Sequence, residues 1–152
     1  MKQHLLKKCT LSIVFLLFLF CVLLSGCAGR RALTTEAFTS ACEAAGYTIE
    51  DMTEQFGTAS LETALSVSEE ETTLGFFVFS DADVAKTNYA QMLSSLKTGA
   101  SDEKFVDSAE YNRFYVSTDS GTTLLYRNGG TLLLATSTDT EKLGALIDAL
   151  GI

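Results

Sequence analysis

Apolar residues recur along this chain with two spacings, every third or fourth position in some segments and every second position in others. In residues 34–46, Phe38, Ala41, Cys42 and Ala45 fall at i, i+3, i+4 and i+7, the single stripe of an amphipathic helix. Thr34 stands where an N-cap is needed, Glu36 suits the positive end of the helix dipole, and Gly46 marks the stop. The stripe places Cys42 in the core. A second helix is predicted over residues 80–97, opened by Ser80 with Asp83 as capping-box acid and ended by Gly99. Its apolar face is Ala85, Tyr89, Met92, Leu93 and Leu96. A third begins at the capping box Thr138-x-x-Glu141 and buries Leu143, Leu146, Ile147 and Leu150.

The period-two segments lie between these helices. Residues 61–67 alternate strictly, and residues 72–79 carry Phe76-Phe77-Val78-Phe79, apolar on both faces as a central strand is. The two form a hairpin around Ser68-Glu69-Glu70-Glu71. Three further strands, at residues 111–118, 122–127 and 131–137, are joined by Asp119-Ser120-Gly121 and by Asn128-Gly129-Gly130. Asn-Gly is the strongest short hairpin signal because both turn positions take positive φ. Residues 47–51 suggest one more short strand, 52–60 an irregular stretch, and 100–110 a polar connector containing Phe105 and Val106. Helix, hairpin, helix, meander and helix in that order predict an α+β domain. The expected form is a two-layer sandwich, an antiparallel sheet of about five strands with about three helices packed on it.

The first 26 residues follow neither rule. Lys2, Lys7 and Lys8 precede a run from Cys9 to Leu24 that carries no charge, the basic and apolar regions of a secretory signal peptide. Leu24-Ser25-Gly26-Cys27 then resembles the lipobox of bacterial lipoproteins at all four positions. The resemblance implies that signal peptidase recognises Leu24, Ser25 and Gly26 and cleaves after Gly26. It also implies that Cys27 becomes a diacylglyceryl cysteine, further acylated by a palmitate-type chain. The stretch from Cys9 to Gly29 is also long enough to span a bilayer uncleaved, since about 20 residues suffice. Arg30 and Arg31 on its far side weaken the charge asymmetry that such an anchor favours. Either way the rest of the chain lies outside the cytoplasm. The expected domains are thus residues 1–26 as removed signal peptide, 27–33 as lipidated cysteine and short tether, and 34–152 as one folded domain. As a flexible coil, the tether extends on the order of 13 Å.

The mature region also resembles small uncharacterised lipoproteins of Gram-positive bacteria, whose domain opens on a Thr-x-Glu-x-Phe helix ending in Gly-Tyr. Here those residues are Thr34, Glu36, Phe38, Gly46 and Tyr47. That resemblance brings no activity and no catalytic residues with it.

Composition narrows the chemistry. Beyond residue 26 the chain keeps eight of its eleven basic residues and all nineteen acids, a net charge of −11. Such a surface repels nucleic acid, so no nucleic-acid partner is expected. The single histidine, His4, lies in the signal peptide, which leaves no Ser-His-Asp or Cys-His nucleophile and no histidine metal ligand in the mature chain. With Cys27 lipidated, Cys42 is the remaining thiol. No metal and no cofactor beyond the covalent lipid is expected. Glu69-Glu70-Glu71 reads as a solvated turn rather than a calcium site, and Asp81 and Asp83 as capping acids rather than a catalytic pair.

One interaction patch is suggested by strand alternation: Arg113 and Tyr115, joined by Tyr126 or Arg127 of the next strand, on an exposed sheet face. The expected role is a non-catalytic binding or accessory module of the cell envelope. It would be membrane-anchored through Cys27 and act on an envelope protein, peptide or glycan. A hydrolase working with carboxylates alone, as on glycans, is the alternative, and a small-ligand carrier a third.

Overall fold

The computed structural model describes residues 32–69, 71–97 and 102–152. The lipobox residues Leu24, Ser25, Gly26 and Cys27, the whole signal region, Glu70 and Gly99 lie outside the described residues. The elements are α1 (Thr35–Ala44), β1 (Glu50–Asp51), α2 (Thr53–Phe56), β2 (Leu61–Ser68), β3 (Thr72–Phe79), α3 (Ala82–Leu96), β4 (Lys104–Asp107), β5 (Tyr111–Thr118), β6 (Gly121–Asn128), β7 (Thr131–Ser137) and α4 (Thr140–Leu150). All pairings are antiparallel, in one sheet of order β1-β2-β3-β7-β6-β5-β4. The α+β class is as the sequence predicts, with seven strands rather than about five.

The chain runs β1 to β3 by turns. It then crosses by α3 to the far edge and walks back through β4, β5, β6 and β7 until β7 pairs with β3. Both ends of the fold therefore meet in the middle of the sheet, where β3 and β7 are flanked on both sides. Their sequences, Phe76-Phe77-Val78-Phe79 and Leu132-Leu133-Leu134-Ala135, are apolar at successive positions, and each strand feeds two cores. Leu74, Phe76, Leu133 and Ala135 join Leu124 and Tyr126 of β6 under α1 and α4. Phe77, Phe79, Leu132 and Leu134 join Leu125, Phe114 and Val116 under α3.

Helices thus cover both faces, and the two-layer expectation is corrected to three layers. The cause is the period of two: a strand apolar at every position needs apolar cover on either side.

Capping fixes where the helices begin. The Thr34 hydroxyl accepts from the Ala37 amide, as the sequence predicts. In α3 the cap is Asp81, whose carboxylate accepts from the Asp83 amide, rather than Ser80. In α4 it is Asp139, accepting from the Lys142 amide, rather than Thr138. In both cases the carboxylate one residue on displaces the hydroxyl, because a charged acceptor makes the stronger bond to a helix N-terminus. The β6–β7 turn is likewise shifted by one residue. Asn128 pairs with Thr131, so Gly129 and Gly130 are the turn residues. A Cβ on Gly130 would come within 2.6 Å of the Phe79 carbonyl oxygen.

Leu33, counted with the tether by the sequence reading, is 4% exposed and sits in the first core. Cys42 is fully buried in the same core, as its helical spacing predicts. Burial pushes its thiol pKa up from 9.0 to about 11. An ionised thiol is disfavoured in the fold, so the unfolded chain loses its proton first. Stability from this group is complete below pH 9 and falls by about 2–3 kcal/mol as pH rises to about 11. Two outcomes are expected: a thiol reagent added to native protein at pH 8 labels Cys42 only at the rate of unfolding, and Cys42→Ala flattens the alkaline side of the stability profile between pH 9 and 11, read by urea titration.

Candidate functional site

The register settles the fate of the four residues suggested as a patch. Arg113 stands directly opposite Tyr126, and Tyr115 opposite Leu124, so these three side chains share the α1 and α4 face. That face is not open at Tyr126, which is fully buried, and Tyr115 packs against the first core. The Arg113 guanidinium lies 5.6 Å from the Tyr115 ring, with its Nε buried and unbonded. Arg127 points to the opposite face and is 1% exposed. The exposed patch is therefore corrected: α1 and α4 reach across β6, and Arg127 is a buried structural group.

What Arg127 does is hold the β5–β6 end of the sheet together. Its Nε donates to Asn112 Oδ1, its Nη1 to the Gly129 carbonyl at 3.1 Å, and its Nη2 to the Ala109 carbonyl at 3.0 Å. Asn112, also buried, donates onward to the Asp107 carboxylate and to the Ser108 carbonyl at 3.3 Å. A buried guanidinium is thus satisfied by neutral oxygens, with its nearest carboxylate one amide away. Tyr89 of α3 faces the same group. Burial, then Asp107, raise its phenol pKa to about 12 while Arg127 partly opposes them, so the hydroxyl stays protonated.

This network floors one end of a cleft of about 380 Å³. One wall is a stripe of α3, Lys86, Ala90 and Leu93 at i, i+4 and i+7, continued by the C-cap residue Lys97. Phe105, Val106 and Asp107 of β4 form the other. The Lys97 ammonium lies 4.7 Å above the Phe105 ring, while Tyr89 meets Asp107, so α3 runs alongside β4 in the opposite sense. α3 itself packs on β3, β7 and β6, which leaves β4 uncovered beside it.

Four exposed residues make up β4. Phe105 and Val106, 47% and 45% exposed, are two of the three large apolar side chains exposed among the described residues; Phe56 is the third. Sequence reasoning passed over this site because Lys104–Asp107 is too short and too polar at its ends to show a period. The lysine stripe was visible at helical spacing, but its neighbour across the cleft was read as a connector.

A second concavity, about 470 Å³, lies at the other end of the sheet among Thr73, Thr123, Thr136, Glu69 and Glu71. Its adjoining row of hydroxyls is occupied internally. Thr72 Oγ1 and Ser137 Oγ are 2.8 Å apart, Ser117 Oγ and Thr122 Oγ1 2.9 Å, and the Tyr47 hydroxyl donates to Thr72. Glu69 and Glu71 belong to the β2–β3 turn, and Asp81, Asp83 and Asp139 stand at helix starts. Among the described residues no group of three or more His, Cys, Asp or Glu is placed to hold a metal ion. No helix among them is long and apolar enough to cross a membrane.

No protein-family model matches the chain, and no curated protein sequence matches it. Among solved structures, it is similar to a protein described as a GTP-binding regulator from Thermotoga maritima. The match has a TM-score of 0.48 and 8% identity, over 77% of this chain and 87% of that one. A likeness of that degree carries no functional argument.

Proposed function

We propose that this chain is a bacterial lipoprotein whose domain is a non-catalytic binding module, held by a lipid on Cys27 against the outer face of the cytoplasmic membrane. The single observation behind the anchor is the lipobox Leu24-Ser25-Gly26-Cys27 following a basic and then apolar segment. Two acyl chains make such an anchor stable, at about 0.8 kcal/mol per buried methylene, where one is marginal. Because Leu33 belongs to the core, five residues, 28–32, separate the lipidated cysteine from the fold. Fully extended from Cys27 to Leu33 they reach about 20 Å. The module works within that distance of the bilayer, with Arg30 and Arg31 at its root.

The binding reading rests on the α3–β4 cleft, where apolar side chains are exposed beside lysines in an otherwise acidic domain. A carboxylate hydrolase would need two acids facing each other in a cleft. The α3–β4 cleft is lined by one acid, Asp107, and the carboxylates at the second concavity stand in a turn.

The test is a pull-down from gently cross-linked native membranes, comparing wild type with Cys27→Ser. The expected result is a defined partner recovered with the wild type and lost with Cys27→Ser, which keeps residues 1–26 and so stays in the membrane fraction, but without the lipid. Recovery of the same partner with Cys27→Ser in the membrane would overturn the anchored-module reading.

A further inference from the structure

We infer that the α3–β4 cleft binds a short zwitterionic peptide, of dipeptide size, with its carboxylate at Lys97, its ammonium group at Asp107 and its peptide group at the Tyr89 hydroxyl. The inference rests on the binding-module reading and names the class of ligand. Tyr89 is 6% exposed and lines the cleft, and its hydroxyl makes no hydrogen bond among the described residues. Asp107 and Arg127 act on it through space. Buried polar groups are nearly always bonded, so a hydroxyl held in a cleft wall without a partner is available to a ligand.

The surrounding charges favour an ion of neither sign. Two lysines, Lys86 and Lys97, and one acid, Asp107, line the cleft. An anion meets Asp107, with Asp102 and Glu103 next to the strand, and a cation meets the lysines. A molecule carrying both charges satisfies both. Having no net charge, it is not repelled by the −11 of the mature chain.

Spacing sets the length of the ligand. Phe105 and Asp107 share the α3 face of β4, since they pair with Phe114 and Asn112, and two residues of strand separate them by about 7 Å. The Lys97 ammonium lies 4.7 Å above the Phe105 ring. A positive and a negative group are thus offset along the cleft by about 7 Å, the length of an extended dipeptide and about twice that of a single amino acid. Neither group is neutralised within the fold. Among the described residues Lys97 makes no ion pair, and the Asp107 carboxylate accepts from Asn112 alone, with capacity for about four such bonds. Between the two charges the walls are apolar: Ala90, Leu93 and the half-exposed Phe105 offer a surface to an aliphatic or aromatic side chain. A volume of about 380 Å³ is that of a small-ligand site.

The probes are the dipeptides Ala-Leu, Leu-Ala and Ala-Phe, titrated calorimetrically into the full chain in detergent micelles. Binding of at least one is expected at millimolar concentration. N-acetylation removes its ammonium group and C-terminal amidation its carboxylate, and each should weaken it about tenfold or more. Lys97→Gln should weaken the free dipeptide to the same degree and leave its amide unaffected, which sets the carboxylate at Lys97. Tyr89→Phe should weaken it about fivefold or more while holding the thermal midpoint within a few degrees, because the lost hydroxyl has no partner in the fold. The inference is overturned if none of the three binds, if blocking either end leaves affinity unchanged, or if both variants bind as the wild type does. An acetylated form of full affinity would make the cleft a site for peptide C-termini, and the binding-module reading would stand. Loss of Cys27-dependent partner capture, by contrast, strikes the module reading and leaves dipeptide affinity untouched.

Discussion

Replacing Phe38 by alanine should destabilise the domain by about 3–5 kcal/mol, the cost of deleting a fully buried aromatic side chain from a packed core. Phe38 is the one large residue with which α1 enters the sheet, and its ring stacks on Phe76 of β3 at 4.7 Å and 10°. Such a pair adds about 0.5–1.5 kcal/mol to the area term. The cavity would open between Cys42, Leu33 and Phe76, held apart by the β3 and β7 ladder, so little collapse can repair it. For a domain of this size the midpoint of thermal unfolding should fall by about 10–15 °C. Phe56→Ala, at a ring half exposed, should cost less than about 1 kcal/mol in the same urea titration. Equal effects from the two variants would mean that α1 is not seated on the sheet as described.

The second large effect is expected at Arg127. Arg127→Met keeps the stem and removes the guanidinium, leaving Asn112 Oδ1 and the Gly129 and Ala109 carbonyls without their donor. Each oxygen left unsatisfied away from water costs about 1–3 kcal/mol. Even with water recovering part of this, a loss of about 3 kcal/mol or more is expected. Arg127→Lys should retain most of the loss, because one ammonium cannot serve three acceptors set in a planar fork. The damage should be local as well as global. Hydrogen exchange should quicken first in β4 and β5, whose Asp107 and Asn112 hang from the guanidinium, and reach β3 and β7 only through global unfolding. Rescue by lysine to wild-type stability would remove the network from the account.

Much of this fold was legible in the sequence, and the exceptions share a cause. The residues of β5 alternate over eight positions, β3 and β7 carry apolar runs between clear turns, and each strand appears where the sequence predicts. What a period cannot show is which faces helices cover. The run Leu132-Leu133-Leu134 holds that information, since three successive leucines require cover on both sides, but only a strand was drawn from it. β4 failed for the opposite reason: four exposed residues carry no burial signal, and pairing with Tyr111–Thr118 alone makes them a strand.

The candidate site was harder still. Arg113 and Tyr115 were set on one face with Tyr126 or Arg127 beside them, and the register chooses Tyr126. Alternation cannot say that α1, which ends 69 residues before Arg113, and α4, which begins 14 residues after Tyr126, close over that face. Arg127, next to a Gly-Gly turn, reads as a surface cation in any sequence. Only the carbonyls of Gly129 and Ala109, contributed by backbone and invisible to residue type, make its burial possible. The cleft unites a helix flank with an edge strand that were read separately, so it emerges only from the topology that lays α3 beside β4.

The central claim is that a lipid on Cys27 places this domain at the membrane, and the intact mass of the protein purified from native membranes tests it most directly. The account predicts a chain that begins at residue 27 and exceeds its peptide mass by a diacylglyceryl group, with or without an added acyl chain, and a Cys27→Ser form that retains residues 1–26. A wild-type chain that still carries residues 1–26, with an unmodified cysteine at position 27, would contradict it.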